Sequence, residues 1–280
     1  MPNIDYLLIG HLTADIVKEG RLLGGTVSYA APIAKLFGHR VGLLSSAAVG
    51  EDLVEPLLSV ADVSIRLAKD TTTFSNIYEE SKRTQYVHAH AAKLSYDMIP
   101  VDWLDTPLLH LAPLVEEVDT SIARRFPDAT VLLTPQGYLR RWDADKRVHF
   151  KRWLDKDMLS HVDILIFSKA DIADAPDLEA EFAQASEHVI VTDGDKGGIY
   201  YHKGEAIPYA SYPVEEVEPT GAGDVFAASL LASLPKVNHD MNAALKVAAR
   251  LAGISVTRLG TRDTVSADEV QTALDAIQEK

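Results

Sequence analysis

Short runs of apolar residues alternate along the chain with longer stretches in which apolar residues recur at helical spacing. The short runs predict buried strands at 6–10, 108–111, 130–133, 163–167 and 188–192. The longer stretches predict helices at 28–37, 121–126, 143–154, 178–185, 225–234, 241–257 and 267–278. Strands that alternate with helices form right-handed crossovers. The pattern therefore predicts an α/β fold whose mostly parallel central sheet is covered on both faces.

One segment follows a different pattern. Residues 71–79 and 83–89 alternate apolar with polar positions, are rich in β-branched and aromatic residues, and are joined by a charged turn at 80–82. This pattern predicts a hairpin with one solvated face. Such a hairpin inserted into an α/β core serves either as a lid over an active site or as a pairing edge for a second subunit.

Composition narrows the classes of protein that this chain can represent. With 280 residues, 47% of them apolar, it can bury a sizeable core, and it contains no cysteine for a disulfide, a thiolate nucleophile or a metal. No stretch approaches the roughly 18 apolar residues of a membrane span. No secretory leader is visible, so we expect a cytoplasmic protein that does not bind membranes. The net charge of −14 argues against a nucleic-acid partner, because phosphate backbones are bound by Lys and Arg.

The segment 219–224, Pro-Thr-Gly-Ala-Gly-Asp, carries the clearest candidate chemistry and is hereafter called the phosphate segment. An apolar run of helix formers follows it. A helix start leaves backbone N–H groups without partners and favours negative charge, and glycines allow a ligand to approach those groups closely. A carboxylate beside them is placed to take a proton from an attacking alcohol. The segment predicts phosphoryl transfer, with an ordinary capped helix start as the alternative.

Three other stretches carry weaker signals. Gly24 and Gly25, the glycine pair, precede a helix of small residues and indicate either tight packing or close approach to a polyhydroxy ligand. Asp15 follows the first strand, where open α/β sheets bind ligands, but a loop Asp is also a common turn former. Residues 192–198 form either a plain connection between strands or a phosphate cradle. The P-loop and the Gly-x-Gly-x-x-Gly dinucleotide fingerprint are both absent from the sequence.

Taken together and in this order, these segments resemble the ribokinase / phosphofructokinase-B family of carbohydrate kinases. Residues 23–29, 189–203 and 217–220 look most like the inositol 3-kinase branch. The resemblance implies a single ribokinase-like domain over residues 1–280, a three-layer sandwich with a β lid at 70–92. It further implies ATP and Mg²⁺ as cofactors, a small sugar or polyol as acceptor, and pairing of two subunits through the lid.

The resemblance also assigns roles to individual residues. Asp224 would be the catalytic base, and the amides of Gly221, Ala222 and Gly223 would form the anion hole. The residues expected to bind the substrate are Asp15, Gly24, Gly25 and Tyr29. Those expected to bind the nucleotide are Thr192, Gly194, Gly197 and Thr220. Asp171 is the expected magnesium residue.

The chain departs from the family pattern at two places. Family sugar kinases typically carry Asn a few residues after the glycine pair, where this chain has Tyr29, which suggests a differently shaped pocket. The family's Asn-x-x-Glu falls either at 168–171 or, offset, at 171–174, and both choices alter the residues near the metal. We predict a polyol or sugar kinase. The alternatives are a nucleoside kinase, which needs a larger apolar pocket, and a sugar-binding regulator that has lost catalysis.

Overall fold

The computed structural model of the protein describes residues 4–79, 82–259 and 265–278. In chain order its strands are β1 (Tyr6–Ile9), β2 (Thr13–Val17), β3 (Gly20–Gly24), β4 (Val41–Ala48), β5 (Asp62–Ala68), β6 (Thr73–Glu79), β7 (Lys82–Ala89), β8 (Leu108–Leu111), β9 (Thr130–Leu133), β10 (Arg140–Trp142), β11 (Val148–Phe150), β12 (Ile164–Ser168), β13 (His188–Thr192), β14 (Gly198–His202) and β15 (Glu205–Tyr209). Its α-helices are α1 (Thr26–Leu36), α2 (Glu55–Leu58), α3 (Lys156–Leu159), α4 (Leu178–Ala185), α5 (Ala222–Ser233), α6 (Met241–Ser255) and α7 (Ala267–Gln278).

Nine strands form the central sheet in the order β15-β14-β13-β12-β9-β8-β1-β4-β5. From β5 to β13 all neighbouring strands are parallel, and β14 runs antiparallel to both of its neighbours. Because the carboxyl ends of parallel strands meet at one edge, the loops that leave β1, β8, β12 and β13 lie along the same side of the sheet. The predicted α/β fold with a mostly parallel central sheet is confirmed.

Alternating side chains of the central strands enter two separate apolar clusters, one on each face of the sheet. Leu8 and Ile190 belong to the cluster that also contains the buried residues of α1, α5 and α6. Leu7 and Val189, their neighbours in sequence, belong to the cluster that contains α3 and α4. Helix α5 is buried on every side from Val225 to Ser233, which explains why its sequence lacks a polar face. No helix in the described ranges has the length and apolar character of a membrane span.

A second sheet of four strands, in the order β3-β2-β6-β7, is hereafter called the lid sheet. Strands β6 and β7 are the predicted hairpin, and residues 80 and 81 of its predicted turn lie outside the described residues. The predicted hairpin belongs to a larger sheet, because β2 pairs in parallel with β6 and antiparallel with β3. Asp15, expected in a loop, therefore lies within β2. Its cross-strand partners, Leu22 and Phe74, share its face of the lid sheet.

The prediction of a helix at 143–154 is wrong. Strands β10 and β11 form a small antiparallel hairpin there. Trp142 and Val148 of this hairpin pack against Phe74 and Val87 of the lid sheet, together with Leu114. This packing fixes the backbone as strands, although the spacing of the apolar residues also fits a helix. The helix expected at 121–126 is a 3-10 helix at Thr120–Arg125.

Candidate active site

The phosphate segment ends in the first turn of α5. Gly221 is the N-cap of this helix and adopts a left-handed conformation with φ of 84°, which glycine adopts without steric cost. The N–H of Ala222 donates to the carbonyl of Pro219 at 3.2 Å, so an anion bound by that amide would compete with this bond. Gly223 and Asp224 lie in the first turn of α5, at the helix end where the dipole favours negative charge. The expected anion-binding amides and Asp224 therefore belong to one helix end, and their contact with a ligand stays a prediction.

Gly221 and Gly223 lie in different surroundings. A Cβ atom built on Gly221 would lie 2.2 Å from Cε1 of Tyr29, so the Tyr29 ring lies directly against this glycine. A Cβ built on Gly223 would meet no heavy atom within 4 Å. Packing within the protein therefore explains glycine at position 221 but leaves position 223 unexplained.

Tyr29 connects two segments that lie far apart in the sequence. It belongs to α1, which begins directly after Gly25, and only 8% of its surface is exposed. Its contact with Gly221 places the helix that follows the glycine pair beside the phosphate segment. The structure thus brings together two of the segments that the sequence analysis singled out, and the role of Tyr29 toward a substrate remains a prediction.

The glycine pair is closely packed inside the protein. A Cβ built on Gly24 would lie 2.5 Å from Oδ2 of Asp15, and one built on Gly25 would lie 2.7 Å from the carbonyl oxygen of His11. Gly25 also has a positive φ of 85°. Asp15 accepts a hydrogen bond from the Thr13 hydroxyl at 2.9 Å. Of the two interpretations of the glycine pair, the structure shows tight packing, and contact with a ligand stays a prediction.

Sequence reasoning missed a buried carboxylate next to this pair. Glu117 is 2% exposed, and its side chain accepts hydrogen bonds from the backbone N–H groups of His11 (3.0 Å), Leu114 (2.8 Å) and Val115 (2.8 Å). These bonds join the chain after β1 to the chain after β8. Glu117 therefore holds together the two strand ends that lie next to Gly25.

His11 is a second buried polar residue that the sequence did not reveal. Its Nε2 lies 2.8 Å from the carbonyl oxygen of Ala92, and its Nδ1 lies 2.7 Å from the Thr72 hydroxyl oxygen. Because a carbonyl only accepts, Nε2 carries the proton and Nδ1 accepts from Thr72. His11 thereby ties the end of β1 to both ends of the lid hairpin.

The predicted nucleotide loop joins β13 to β14. Thr192 is the last residue of β13, and the N–H of Asp193 donates to the carbonyl of Gly197 at 2.8 Å. A Cβ on Gly197 would lie 2.2 Å from the carbonyl oxygen of Tyr209, whereas one on Gly194 would meet nothing within 4 Å. The loop is a connection between antiparallel strands, as one interpretation held, and its contact with phosphates stays a prediction.

Thr220 lies at the exposed end of the phosphate segment. Its backbone N–H donates to a carboxylate oxygen of Glu218 at 3.0 Å, and its hydroxyl donates to the same oxygen. Glu218 is held in turn by the bond from its own N–H to the carbonyl of Val256 at 3.0 Å. The loop before α5 is therefore anchored to the end of α6, and a nucleotide contact of Thr220 stays a prediction.

Asp171 lies in the turn that follows β12, where it forms a capping box with Ser168. One carboxylate oxygen accepts from the N–H and the hydroxyl of Ser168, each at 2.9 Å. The other accepts from Nε2 of Gln136 at 3.3 Å. Asp171 belongs to both of the alignments considered, 168–171 and 171–174. The first alignment pairs it with Ser168, to which it is hydrogen-bonded, whereas the second pairs it with Asp174, which is exposed. The magnesium role of Asp171 stays a prediction.

Comparison with known proteins finds relatives among the carbohydrate and nucleoside kinases. The model of the pfkB family carbohydrate kinases matches residues 141–268. The inositol 3-kinase of Oryza sativa subsp. japonica is 40% identical over 84% of this chain and 64% of its own length. The cytidine kinase of Thermococcus kodakarensis is 28% identical over 82% of this chain and 88% of its own length.

Solved structures show the same fold at low sequence identity. A pyrophosphate-dependent kinase in the ribokinase family has a TM-score of 0.80 at 16% identity, covering 95% of this chain and 99% of that chain. A ribokinase of Arabidopsis thaliana complexed with ribose and ATP has a TM-score of 0.71 at 16% identity, covering 96% and 98%. These structures show that the chain has the fold of the ribokinase-family proteins. The chain carries a domain of the pfkB family of carbohydrate kinases.

Proposed function

We propose that this protein transfers the γ-phosphate of ATP to a hydroxyl group of a small sugar or polyol, with an inositol as the first acceptor to test. The observation that carries this proposal is the contact of Tyr29 with Gly221, which sets the expected sugar-side helix beside the expected phosphate site. The similarity to the rice inositol 3-kinase supports the choice of acceptor.

The chemistry requires no covalent intermediate on the protein. The acceptor oxygen forms a bond to the γ-phosphorus while the bond between that phosphorus and the β,γ-bridging oxygen breaks, and ADP leaves. The acceptor proton passes to the carboxylate of Asp224. The first-turn amides of α5 donate to the oxygens of the moving phosphoryl group, where negative charge develops.

Magnesium would be held largely by the nucleotide and by water. Mg²⁺ keeps several of its waters in most protein sites, and it prefers oxygen ligands. Asp171 offers two carboxylate oxygens held by Ser168 and Gln136, which suits acceptance of a hydrogen bond from a metal-bound water. When bound, the ion neutralises phosphate charge, and Asp171 would orient its water shell.

A substrate panel tests the reaction directly. ADP release is measured with Mg²⁺ and ATP against myo-inositol, fructose, ribose and cytidine, and phosphate release from pyrophosphate is followed in parallel. We expect turnover with ATP and a polyol or sugar. Turnover with pyrophosphate alone would contradict ATP as the donor, and saturable binding of an inositol without ADP release would support the sugar-binding regulator instead.

Removing the proposed base tests the mechanism. In Asp224→Ala we expect turnover to fall at least about 100-fold while acceptor binding changes little, because the lost group acts only in the proton transfer. The matched control is Asp268→Ala, which removes an exposed acid from the first turn of α7 and should leave turnover unchanged. Near-normal turnover of a folded Asp224→Ala protein would rule out this residue as the base.

A nucleoside kinase is the second candidate, and the cytidine kinase relative favours it. Leu22, which is 58% exposed, lies opposite Asp15 on the lid sheet and offers an apolar side chain beside the expected acceptor site. A kcat/KM for cytidine above that for every sugar and polyol in the panel would select this function. The proposed role of Asp224 would be unchanged, since a ribose hydroxyl is also an alcohol.

A further inference from the structure

Three metal-ligating side chains meet at the far end of the β13–β14 hairpin from the predicted nucleotide loop. Glu187, His188 and His202 each present a ligand atom, and these atoms lie within 4.8 Å of one another. His188 and His202 lie opposite each other in the antiparallel pairing, with ring centroids 5.0 Å apart and ring planes 9° apart. Oε1 of Glu187 lies 3.6 Å from Nε2 of His202.

We propose that Glu187, His188 and His202 form a binding site for a divalent transition metal such as Zn²⁺, with water completing the coordination. Two imidazole nitrogens and one carboxylate oxygen are a ligand set that zinc binds in proteins. Zinc–ligand bonds of about 2.0–2.1 Å place tetrahedral ligands about 3.4 Å apart. The side chains of Glu187 and His202 are 50% and 44% exposed, so their rotation can close the remaining distance.

The surroundings of His188 orient it for this role. Its Nδ1 lies 2.7 Å from the hydroxyl oxygen of Tyr200, a buried residue of β14. This hydrogen bond occupies one ring nitrogen and leaves Nε2 as the ligand. A hydrogen bond on the second ring nitrogen fixes the orientation and tautomer of a metal-binding imidazole. Tyr200 would therefore support the site through His188.

The ammonium group of Lys203 is expected to compete with the metal for the carboxylate of Glu187. Its Nζ lies 3.2 Å from Oε1 of Glu187, the same oxygen that approaches His202. Glu187 and Lys203 also line a depression of about 450 Å³ that is open to solvent. Removing the ammonium group frees the carboxylate, so the structure predicts a variant that binds metal more tightly than the natural protein.

The test is isothermal titration of Zn²⁺ into the whole chain, free of any affinity tag, ATP and Mg²⁺. We expect one Zn²⁺ per chain, at least tenfold weaker binding in His202→Gln, and severalfold tighter binding in Lys203→Met. The matched control is His161→Gln, which removes an exposed histidine outside the cluster and should leave the affinity unchanged. Mg²⁺ should not compete, because imidazole is a poor ligand for it.

A second readout identifies the ligands. Co²⁺ bound in place of Zn²⁺ should give the intense visible absorption of a tetrahedral site, and the spectrum should be lost in Glu187→Gln as well as in His202→Gln. Equal Zn²⁺ affinity in the natural protein and in folded His202→Gln would overturn the proposal, as would weaker binding in Lys203→Met. Neither result bears on the kinase activity, because the cluster lies at the other end of the hairpin from the predicted nucleotide loop.

Discussion

At the scale of single residues, Gly221 and Gly223 separate a structural reason for glycine from a functional one. Gly221 combines a positive φ with a ring packed against its Cα, so no other residue fits there without strain. Gly223 lies in the first turn of a helix with open space around it. Glycine weakens a helix relative to alanine by roughly 0.5–1 kcal/mol, so its presence at 223 needs a reason outside the packed structure. Close approach of a phosphate supplies one.

The variant Gly223→Ala tests this reason. We expect its stability to be unchanged or higher by up to about 1 kcal/mol, because alanine favours the helix and meets no atom. We expect kcat/KM to fall at least tenfold, because the added methyl group lies where the proposed donor phosphate approaches the amides. Urea unfolding and ADP release measure the two quantities.

The comparison variant Gly221→Ala separates strain from ligand contact. It should lose about 1–3 kcal/mol of stability, because alanine must adopt a positive φ and displace the Tyr29 ring. A Gly223→Ala protein with natural activity would show that no ligand comes close to this position, and the proposed anion hole would then be wrong at Gly223.

At the scale of elements, one ion pair fastens the lid sheet to the body of the protein. Both terminal nitrogens of Arg21 in β3 donate hydrogen bonds to the carboxylate of Glu51, each at 3.0 Å. Glu51 also accepts a hydrogen bond from the Thr71 hydroxyl at 2.6 Å. The Glu51 side chain is 3% exposed. Burial alone would raise the pKa of Glu51, but the hydrogen bonds from Thr71 and Arg21 outweigh it and lower that pKa to about 2.

The variant Arg21→Met should remove the ion pair with Glu51. Because it leaves a buried carboxylate short of donors, we expect a loss of about 1–2 kcal/mol at pH 7. The folded-state pKa of Glu51 lies below its unfolded value, so its stabilisation is complete above about pH 4.5 and is lost as the pH falls toward 2. The stability difference between natural protein and variant should therefore shrink between pH 5 and pH 2.5.

Urea unfolding at pH 7, 5 and 2.5 measures this difference. The control is Arg66→Met, which removes an exposed arginine of β5 and should cost little at any of these pH values. A loss in Arg21→Met that is the same at pH 7 and pH 2.5 would show that the arginine acts through packing of its stem and not through the Glu51 carboxylate.

The same scale shows which elements a sequence can predict. Strands β1, β8, β9, β12 and β13 are covered on both faces, and each carries a short apolar run that stands out in the sequence, broken in β8 by His110. Strand β4 is as buried, yet Ser45 and Ser46 interrupt its apolar run. Their hydroxyls bond to the backbone of Leu12 and Arg66, partners that only the folded chain reveals. Strands β2 and β3 were not predicted from the sequence, because they are short and have mixed polarity.

In the candidate site, too, some features could be predicted from the sequence and others could not. The glycine-rich segments were predictable because a positive φ and close packing, as at Gly25 and Gly221, favour glycine and so leave a mark in the sequence. Glu117 and His11 were not, because their hydrogen bonds join residues up to 106 positions apart and neither has a distinctive neighbour. The contact of Tyr29 with Gly221 likewise depends on how α1 and α5 pack, which no local pattern contains.

At the scale of the whole molecule, a buried histidine makes stability depend on pH. His110 lies in β8 with no exposed surface, and its Nδ1 lies 2.9 Å from the Tyr6 hydroxyl oxygen. Burial lowers the pKa of His110 to about 3. The unfolded chain takes up a proton at this residue near pH 6.5, whereas the folded chain does not until far lower pH. Acid therefore favours the unfolded state over that whole interval.

The natural protein should lose on the order of 2 kcal/mol of stability through His110 alone between pH 7 and pH 5. The variant that isolates this effect is His110→Leu in a Tyr6→Phe background, because leucine alone would leave the buried Tyr6 hydroxyl without its partner. Urea unfolding of the double variant and of Tyr6→Phe at pH 7, 6 and 5 gives the two slopes. Other histidines whose pKa burial lowers, such as His39, contribute equally to both and cancel. We expect the double variant to have the flatter dependence. Equal slopes would mean that His110 takes up its proton over the same pH range in the folded and the unfolded protein, so that its burial does not lower its pKa.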